Sequence, residues 1–266
     1  MKRIINVLLV AFVLSLVPTT HVCAQWKMRR SYSEGLAMVK DANGMCGFID
    51  KTGKVIITCQ WKDAQSFSEG LAAVADINFM YGYIDKTGKV IIPCQWKDAK
   101  SFMEDWAPVR DAKYKWGYID KTGKVVLPCQ WEGAWPFSEG LAGIQDDGKC
   151  GYINKTGKVV IPCQWKVALL FHDGVALVQD ANNKWGFIDK KGKVVIPCQW
   201  EDAFEFFEGL ASVQDANGKY GYIDKTGKVV IPCQWEDADN FSEGVAEVED
   251  ADGNKHKIDK TGKIIE

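Results

Sequence analysis

Histidine and paired cysteine motifs are nearly missing from this chain of 266 residues. Only three histidines occur, and His21 lies in the N-terminal apolar stretch. His172 and His256 stand without a serine, cysteine or aspartate set that would form a nucleophile and its base. Zinc sites usually need paired ligands such as C-x-x-C, and the sequence contains none. These absences predict that the protein is not an enzyme and uses no metal or other cofactor.

Neither sign of charge dominates. Lysine and arginine number 33 against 35 aspartates and glutamates, a net charge of −2. Nucleic-acid binding depends on a basic surface, so nucleic acid is not an expected partner. The longest apolar run, residues 4–17, is shorter than the roughly 20 residues that cross a bilayer as a helix. We therefore expect no membrane span.

The first 24 residues have the pattern of a cleavable signal peptide. A basic start, Met1-Lys2-Arg3, precedes the apolar run, and Val22-Cys23-Ala24 offers short residues at a cleavage site. A retained anchor and a lipoprotein lipidated on Cys23 are the alternatives, although Val22 fits a lipobox poorly. The pattern predicts export to the periplasm or the cell exterior, with residues 25–266 forming a single mature domain.

A unit of about 35 residues recurs along this mature domain. A glycine followed by an aromatic residue, isoleucine and aspartate or asparagine marks six copies, and Cys-Gln-Trp marks the same six at a later position. A seventh copy keeps only Ile258 and Asp259 of the first signal. The repeated glycines are Gly47, Gly82, Gly117, Gly151, Gly186 and Gly221.

The seventh unit is divided between the two ends of the chain. Residues 24–27 align with residues 59–62, and residues 262–266 align with residues 53–57. A unit divided in this way is typical of closed rings, in which the last unit is completed by joining the ends. We therefore predict an all-β, propeller-like closed ring of seven antiparallel repeats, with Ile264 and Ile265 beside Trp26. An open β-repeat solenoid is the alternative.

Residues 209–240 illustrate one unit. Alternation at residues 210–214 predicts a strand with Ala211 and Val213 facing inward and Ser212 facing outward. Two turns follow, in which Gly218 and Gly227 supply positive φ angles. Further strands are predicted at residues 220–224 and 229–231. Pro232 either ends the pairing of the last strand or places that strand at a sheet edge, and residues 233–240 cross to the next unit. Neighbouring units share a core built from Trp235, Phe241, Ile223 and their equivalents.

The sequence resembles the WG (or KWG) repeat family of bacterial proteins. The resemblance is carried by WGYIDKTGK at residues 116–124, WGFID at residues 185–189 and FSEGLA at residues 67–72. The tryptophan of the family name is replaced elsewhere by Cys46, Tyr81, Cys150 and Tyr220. Membership implies β-rich repeats that are usually not enzymes, and it transfers no catalytic or binding residue to this chain.

Several residue patterns allow a functional and a structural interpretation. Eight cysteines follow the signal, but six share one repeat position and should lie too far apart for disulfides, so we interpret them as small buried residues. The Asp-x-Asn-Gly turns are too short for a calcium loop. A row of lysines in the Lys-Thr-Gly-Lys turns predicts a basic rim that attracts anions or remains solvated.

The candidate binding surface is where the copies differ. Large residues replace small or polar ones between residues 78 and 173, and exposed aromatic side chains mark recognition surfaces. We expect a module that binds a protein or a peptide; a glycan-binding module and a structural protein of the cell envelope are the alternatives. The predicted site residues are Phe79, Trp106, Tyr114, Trp135 and His172.

Overall fold

The computed structural model describes residues 26–266. The predicted signal peptide lies outside these residues. The described chain folds into seven separate antiparallel sheets that follow one another along the sequence, and strands are adjacent in each sheet in chain order. No helix in this part of the chain is long and apolar enough to cross a membrane. The predicted all-β repeat architecture is thus confirmed.

The first three sheets have four strands each. The first contains β1 (Met28–Arg29), β2 (Leu36–Lys40), β3 (Cys46–Asp50) and β4 (Val55–Trp61). The second contains β5 (Asp63–Ala64), β6 (Leu71–Ala75), β7 (Tyr81–Asp85) and β8 (Val90–Trp96). The third contains β9 (Asp98–Ala99), β10 (Trp106–Arg110), β11 (Trp116–Asp120) and β12 (Val125–Trp131).

The remaining four sheets continue the pattern. The fourth contains β13 (Gly133–Ser138), β14 (Leu141–Asp146), β15 (Lys149–Asn154) and β16 (Val159–Trp165). The fifth contains β17 (Val167–His172), β18 (Val175–Gln179), β19 (Trp185–Asp189) and β20 (Val194–Trp200). The sixth contains β21 (Asp202–Ala203), β22 (Leu210–Gln214), β23 (Tyr220–Asp224) and β24 (Val229–Trp235). The seventh contains β25 (Asp237–Ala238), β26 (Val245–Glu249) and β27 (Lys255–Asp259).

Each complete unit has one strand more than the sequence predicted. Of the two roles predicted for Pro232, an end to the pairing is wrong and an edge strand is confirmed, because β24 is the last strand of its sheet, continues through Pro232 and pairs Trp235 with Tyr220. Pro232 is exposed on the edge strand, where a missing N–H costs no ladder bond. One residue later the chain begins β25, so the predicted crossing segment supplies the first strand of the next sheet.

The repeated glycine of the third strand lies under the fourth strand. A Cβ atom added to Gly221 would be 2.5 Å from the carbonyl oxygen of Ile231 and 2.7 Å from the amide nitrogen of Cys233. The β23–β24 register shifts at this point, so the fourth strand crosses directly over the glycine. This close approach of two backbone segments explains why only glycine fits here.

The predicted turn glycines are also confirmed. Gly123, Gly218 and Gly227 have φ angles of +85°, +78° and +83°. In the second turn the carboxylate of Asp224 accepts hydrogen bonds from the Thr226 hydroxyl at 2.6 Å and from the Thr226 amide at 2.8 Å. The Thr226 hydroxyl is the main reason that the pKa of Asp224 is lowered. These bonds fix the turn from within, as in an Asx turn.

The sheets pack against neighbours on both faces, so the expectation of an outward-facing Ser212 is wrong. Ala211 and Val213 pack against the fifth sheet, and Tyr222 on the opposite face packs against the seventh. Ser212 is only 1% exposed. Alternation along β22 therefore separates two buried faces rather than core from solvent. The predicted core residues Trp235, Phe241 and Ile223 are buried, as expected.

Polar bonds repeat at the junctions between sheets. Glu139 accepts a hydrogen bond from the Gly174 amide of the next sheet at 3.1 Å, and it forms an ion pair with Lys190 of that sheet at 2.8 Å. In six of the seven turns the first lysine is thus paired with a carboxylate of the preceding sheet. The other such pairs are Lys86–Glu34, Lys121–Glu69, Lys155–Glu104, Lys225–Asp173 and Lys260–Glu208.

The two terminal sheets end the array differently. Ile264 bridges Ile258, and the Ile265 amide donates to the Lys257 carbonyl oxygen at 2.8 Å, so this segment starts a fourth strand on the seventh sheet. Trp26 packs instead against the core of the first sheet. Among residues 26–266, no strand pairing, hydrogen bond or ion pair joins the first sheet to the seventh.

Candidate functional site

Three positions of each sheet form a set that faces the first strand of the next sheet. The first is the fourth residue after the repeated tryptophan, which lies in or just after the first strand. The second is the middle residue of the second strand, and the third is the residue directly before the repeated-glycine position of the third strand. We call this set the junction triplet. From the second sheet to the seventh the triplets are Gln65-Ala73-Tyr81, Lys100-Pro108-Trp116, Trp135-Gly143-Cys150, Leu169-Leu177-Trp185, Phe204-Ser212-Tyr220 and Asp239-Glu247-Lys255.

The triplet of the fifth sheet opens a groove. Leu169, Leu177 and Trp185 line a cavity of about 400 Å³ together with Ala203, Phe204, Glu205 and Phe207 of the sixth sheet and Asn240. Leu177 forms its buried floor, whereas Phe204 and Phe207 are 42% and 39% exposed. We call this cavity the apolar groove. Large apolar side chains exposed together in a concave site are typical of a binding surface.

The third and fourth sheets lack such a groove because large side chains fill the equivalent space. The Lys100 ammonium lies 4.9 Å from the ring centroids of both Trp116 and Trp135, and it donates to the Ala134 carbonyl oxygen at 2.7 Å. Burial lowers the pKa of Lys100. In the fourth triplet the Trp135 ring covers Gly143, with a ring carbon 3.4 Å from the position of an added Cβ.

The sixth and seventh triplets also differ from the fifth. Phe204 and Tyr220 lie together, with ring centroids 6.4 Å apart, and burial with the Asp202 carboxylate beside it raises the pKa of Tyr220 to about 12. In the seventh sheet the triplet is charged, and Lys255 pairs with Glu247 at 2.6 Å. A shallow hollow of about 40 Å³ lies there, lined mainly by Asp237, Asp239, Glu247, Glu249 and Lys255.

Two of the predicted site residues stand at turn tips. Phe79 and Tyr114 occupy equivalent places in the turns after β6 and β10, are 61% and 62% exposed, and have φ angles of +57° and +61°. Other copies place Gly44 or Gly218 here, and the left-handed backbone explains that choice. Tyr114 lies 5.4 Å from the Arg110 guanidinium, which also lies 5.5 Å from the Trp116 ring.

The predicted five residues do not form one patch. Trp106 begins β10, whereas Tyr114 follows its far end, so the strand separates them. Trp106 packs edge-on against buried Phe137, with ring centroids 5.3 Å apart, and Lys155 lies 5.6 Å from its ring. Tyr114 and Trp135 are connected through Arg110, Trp116 and Lys100, as the distances above show. His172 is exposed 6.3 Å from Phe207, at the rim of the apolar groove.

Phe204 and Phe207 were not among the predicted site residues, although the sequence contains a signal for both. Phe204 stands where other copies have Gln65, Lys100 or Asp239, and Phe207 stands where most copies have a serine. Such a serine is structural, since the Ser68 hydroxyl donates to the Phe102 carbonyl oxygen of the next sheet at 2.7 Å. Departures from the repeat therefore extend past residue 173, into the sheet that completes the groove.

The eight described cysteines are free thiols. Cys46 and Cys59 belong to one sheet but lie in different core clusters, on opposite faces of it, and the same holds for Cys150 and Cys163. Burial raises their pKa values, that of Cys129 to about 11. Within residues 26–266 no group of three or more His, Cys, Asp or Glu side chains is placed to hold a metal ion.

Three solved structures are similar to the described fold at low sequence identity. A structure titled as the eukaryotic initiation factor aligns with a TM-score of 0.58 at 8% identity over 89% of this chain and 73% of its own. The computationally designed Ika8 protein gives 0.55 at 12% identity over 89% and 84%. BamB from Moraxella catarrhalis gives 0.50 at 11% identity over 85% and 82%. At such identities the likeness concerns the fold alone.

No curated protein matches the chain in sequence. The family described as WG containing repeat does match, at residues 47–75, 81–113, 116–150, 151–185, 185–220 and 220–253. These six matches begin near the repeated glycine of each third strand and run through the first and second strands of the following sheet. They cover most of the residues that form the seven sheets, and the chain therefore belongs to the WG repeat family.

Proposed function

We propose that this chain is an exported, non-catalytic module that binds a protein or a peptide through the apolar groove. The observation that carries the proposal is the exposure of Phe204 and Phe207 beside a concave floor of Leu169, Leu177 and Trp185. Repeat geometry does not require these two rings, because Gln65, Lys100 or Asp239 stands at the position of Phe204 in three other sheets and a serine stands at the position of Phe207 in four. Export depends on the signal-peptide pattern of residues 1–24.

The chemistry of the groove suits an apolar side chain of an extended segment. Binding buries an exposed phenylalanine ring together with the apolar side chain of the partner. Removing this apolar surface from water stabilises the complex by about 25 cal/mol per Å². The polar lining consists of Glu205 and Asn240, which is little for orienting a small polar ligand. A peptide or a protein loop that inserts one bulky side chain is therefore the occupant that the lining favours.

The glycan alternative depended on Trp106 and Trp135 as stacking platforms. Trp106 packs on Phe137 and beside Lys155, and Trp135 has the Lys100 ammonium over one face and Gly143 against its ring. Sugar stacking needs an open aromatic face, and at both rings the neighbouring side chains reduce the accessible area of that face. These contacts favour the protein or peptide proposal over the glycan one.

For the arrangement of the sheets we infer an open array in place of the predicted closed ring. Support comes from the face of the seventh sheet that a ring would bury against the first. Lys255 and Lys257 are 66% and 52% exposed on that face, where the sixth sheet has Tyr220 and a fully buried Tyr222. Polar outer faces are typical of capping repeats. Carbodiimide cross-linking of Lys51 to Glu243 within one chain would contradict the open array.

The binding proposal is tested by returning the groove to the residues of other sheets. Phe204→Gln and Phe207→Ser introduce the residues found at positions 65 and 68, so the double variant should fold. A library of displayed random peptides is selected on the wild-type protein, and affinities are then measured for the wild type, the double variant and a Phe79→Gly control. We expect the double variant to lose binding at least tenfold, while the control Phe79→Gly binds normally. Peptides that bind all three proteins equally would place the site elsewhere.

A further inference from the structure

The first-strand segments are basic in the first sheet and acidic in the sixth and seventh sheets, and the four segments between them carry a charge of at most one. Each segment consists of the five residues after the repeated tryptophan, and all seven occupy the same edge position in their sheets. Residues 27–31 contain Lys27, Arg29 and Arg30 and carry +3. Residues 201–205 and 236–240 each contain three carboxylates and no basic residue, and each carries −3. The edge beside the apolar groove is therefore acidic.

Some of these carboxylates are already neutralised. Glu201 pairs with Lys184, Glu236 pairs with Lys219, and Asp202 accepts a hydrogen bond from Tyr220. Glu205, Asp237 and Asp239 form no ion pair with any residue that the structure describes. Glu205 lines the apolar groove itself. Asp239 precedes Asn240, another lining residue, and helps to line the acidic hollow on the seventh sheet.

On the basis of the proposed function, we propose that the partner segment carries a bulky apolar side chain for the groove and a lysine or arginine for the carboxylates of Glu205, Asp237 and Asp239. Packed sheets are spaced by about 10 Å, and an extended chain advances about 3.3 Å per residue. Phe204 and Asp239 occupy equivalent positions in adjacent sheets. The basic residue therefore lies about three residues from the apolar one.

The two parts of this site have separate roles. Burial in the groove contributes binding free energy for any peptide with a suitable apolar side chain. The carboxylates favour those peptides that also place a basic residue beside them. Exposed ion pairs are each worth about 0.2–1 kcal/mol, so a correctly placed lysine should improve affinity about fivefold over glutamine. Since these charges are exposed, the preference should shrink as ionic strength rises.

The test uses synthetic peptides with one central phenylalanine and a lysine, glutamine or glutamate placed one to six residues away. Dissociation constants are measured by fluorescence anisotropy for the wild-type protein and three variants. Glu205→Ser with Asp239→Gln removes two carboxylates by introducing the residues of positions 66 and 65. Asp147→Asn with Asp252→Asn removes the same charge from turn residues that do not line the groove. Phe204→Gln with Phe207→Ser tests the groove itself.

We expect the lysine peptide to bind the wild type best at a spacing of about three residues, and the Glu205/Asp239 variant to lose that preference while still binding the glutamine peptide. The turn variant should keep the preference. Equal binding of lysine, glutamine and glutamate peptides would overturn the charge inference and leave groove binding intact. Binding that the Phe204/Phe207 variant retains, or no binding of any peptide to the wild type, would overturn the proposed function as well.

Discussion

Replacing Gly221 by alanine tests the packing on which every complete sheet depends. The added Cβ would lie 2.5 Å from the Ile231 oxygen and 2.7 Å from the Cys233 nitrogen, whereas ordinary contacts begin near 3.4 Å. The fourth strand would have to move away by roughly 1 Å, because both atoms belong to the backbone. Overpacking of this kind costs about 1–3 kcal/mol, and the rigid neighbours place Gly221→Ala near about 3 kcal/mol.

Equilibrium unfolding in urea measures this cost. With a slope of about 3 kcal/mol per molar urea, a loss of about 3 kcal/mol lowers the midpoint by about 1 M. Gly227→Ala is the matched control, since its φ is +83° but an added Cβ would meet only the Ile196 side chain, at 3.4 Å. That substitution should cost about 1 kcal/mol. If both variants unfold at the same urea concentration, the close strand approach is not a rigid contact and the reasoning fails.

Three further predictions concern a buried hydroxyl, alkaline pH and the junction ion pairs. Ser212 is buried and its hydroxyl has no partner, so Ser212→Ala should raise stability by about 1 kcal/mol in the same urea assay, and a loss would reveal a bound water. Burial raises the pKa of Cys129 to about 11, so its thiol contributes stability below pH 9 that is lost as pH rises through 9 to 11; thermal unfolding across this range should show the decline, and Cys129→Ala should reduce it. The ammonium of Lys190 lowers the pKa of Glu139, and this exposed pair should couple by about 0.5 kcal/mol in a double-mutant cycle with Glu139→Gln and Lys190→Met, whereas a coupling above 2 kcal/mol would contradict its solvent screening.

Short-range chemistry explains why much of the unit could be predicted. The turns at Gly218 and Gly227 depend on residues within four positions of each other, and the alternation along β22 is visible in the sequence itself. The end of the fourth strand, residues 232–235, was not predicted, for a different reason. Pro232 is compatible either with an end to the pairing or with a strand at a sheet edge, and the sequence alone does not decide between the two.

The candidate site was harder to predict, because it depends on distance between sheets rather than along the chain. Leu177 and Phe204 are 27 positions apart and meet only through the stacking of neighbouring sheets. Trp106 and Tyr114 are close in sequence, yet a strand separates them. Departures from the repeat identified the right class of residue, but the repeat alone did not show which of them share a cavity.

The fourth strands have a consequence for how the chain reaches its native state. Residues 155–165 and residues 225–235 are identical and contain the fourth strands of the fourth and sixth sheets. Each of these two strands can therefore pair with the third strand of the other sheet. Mispairing of this kind is a typical hazard when repeated sequences fold. Correct pairing is favoured because each sheet forms within about 35 consecutive residues. Closing a short loop costs less entropy, and is therefore faster, than pairing with a strand 70 residues away. Slow refolding or transient aggregation at high concentration would reveal strands exchanged between sheets or between molecules.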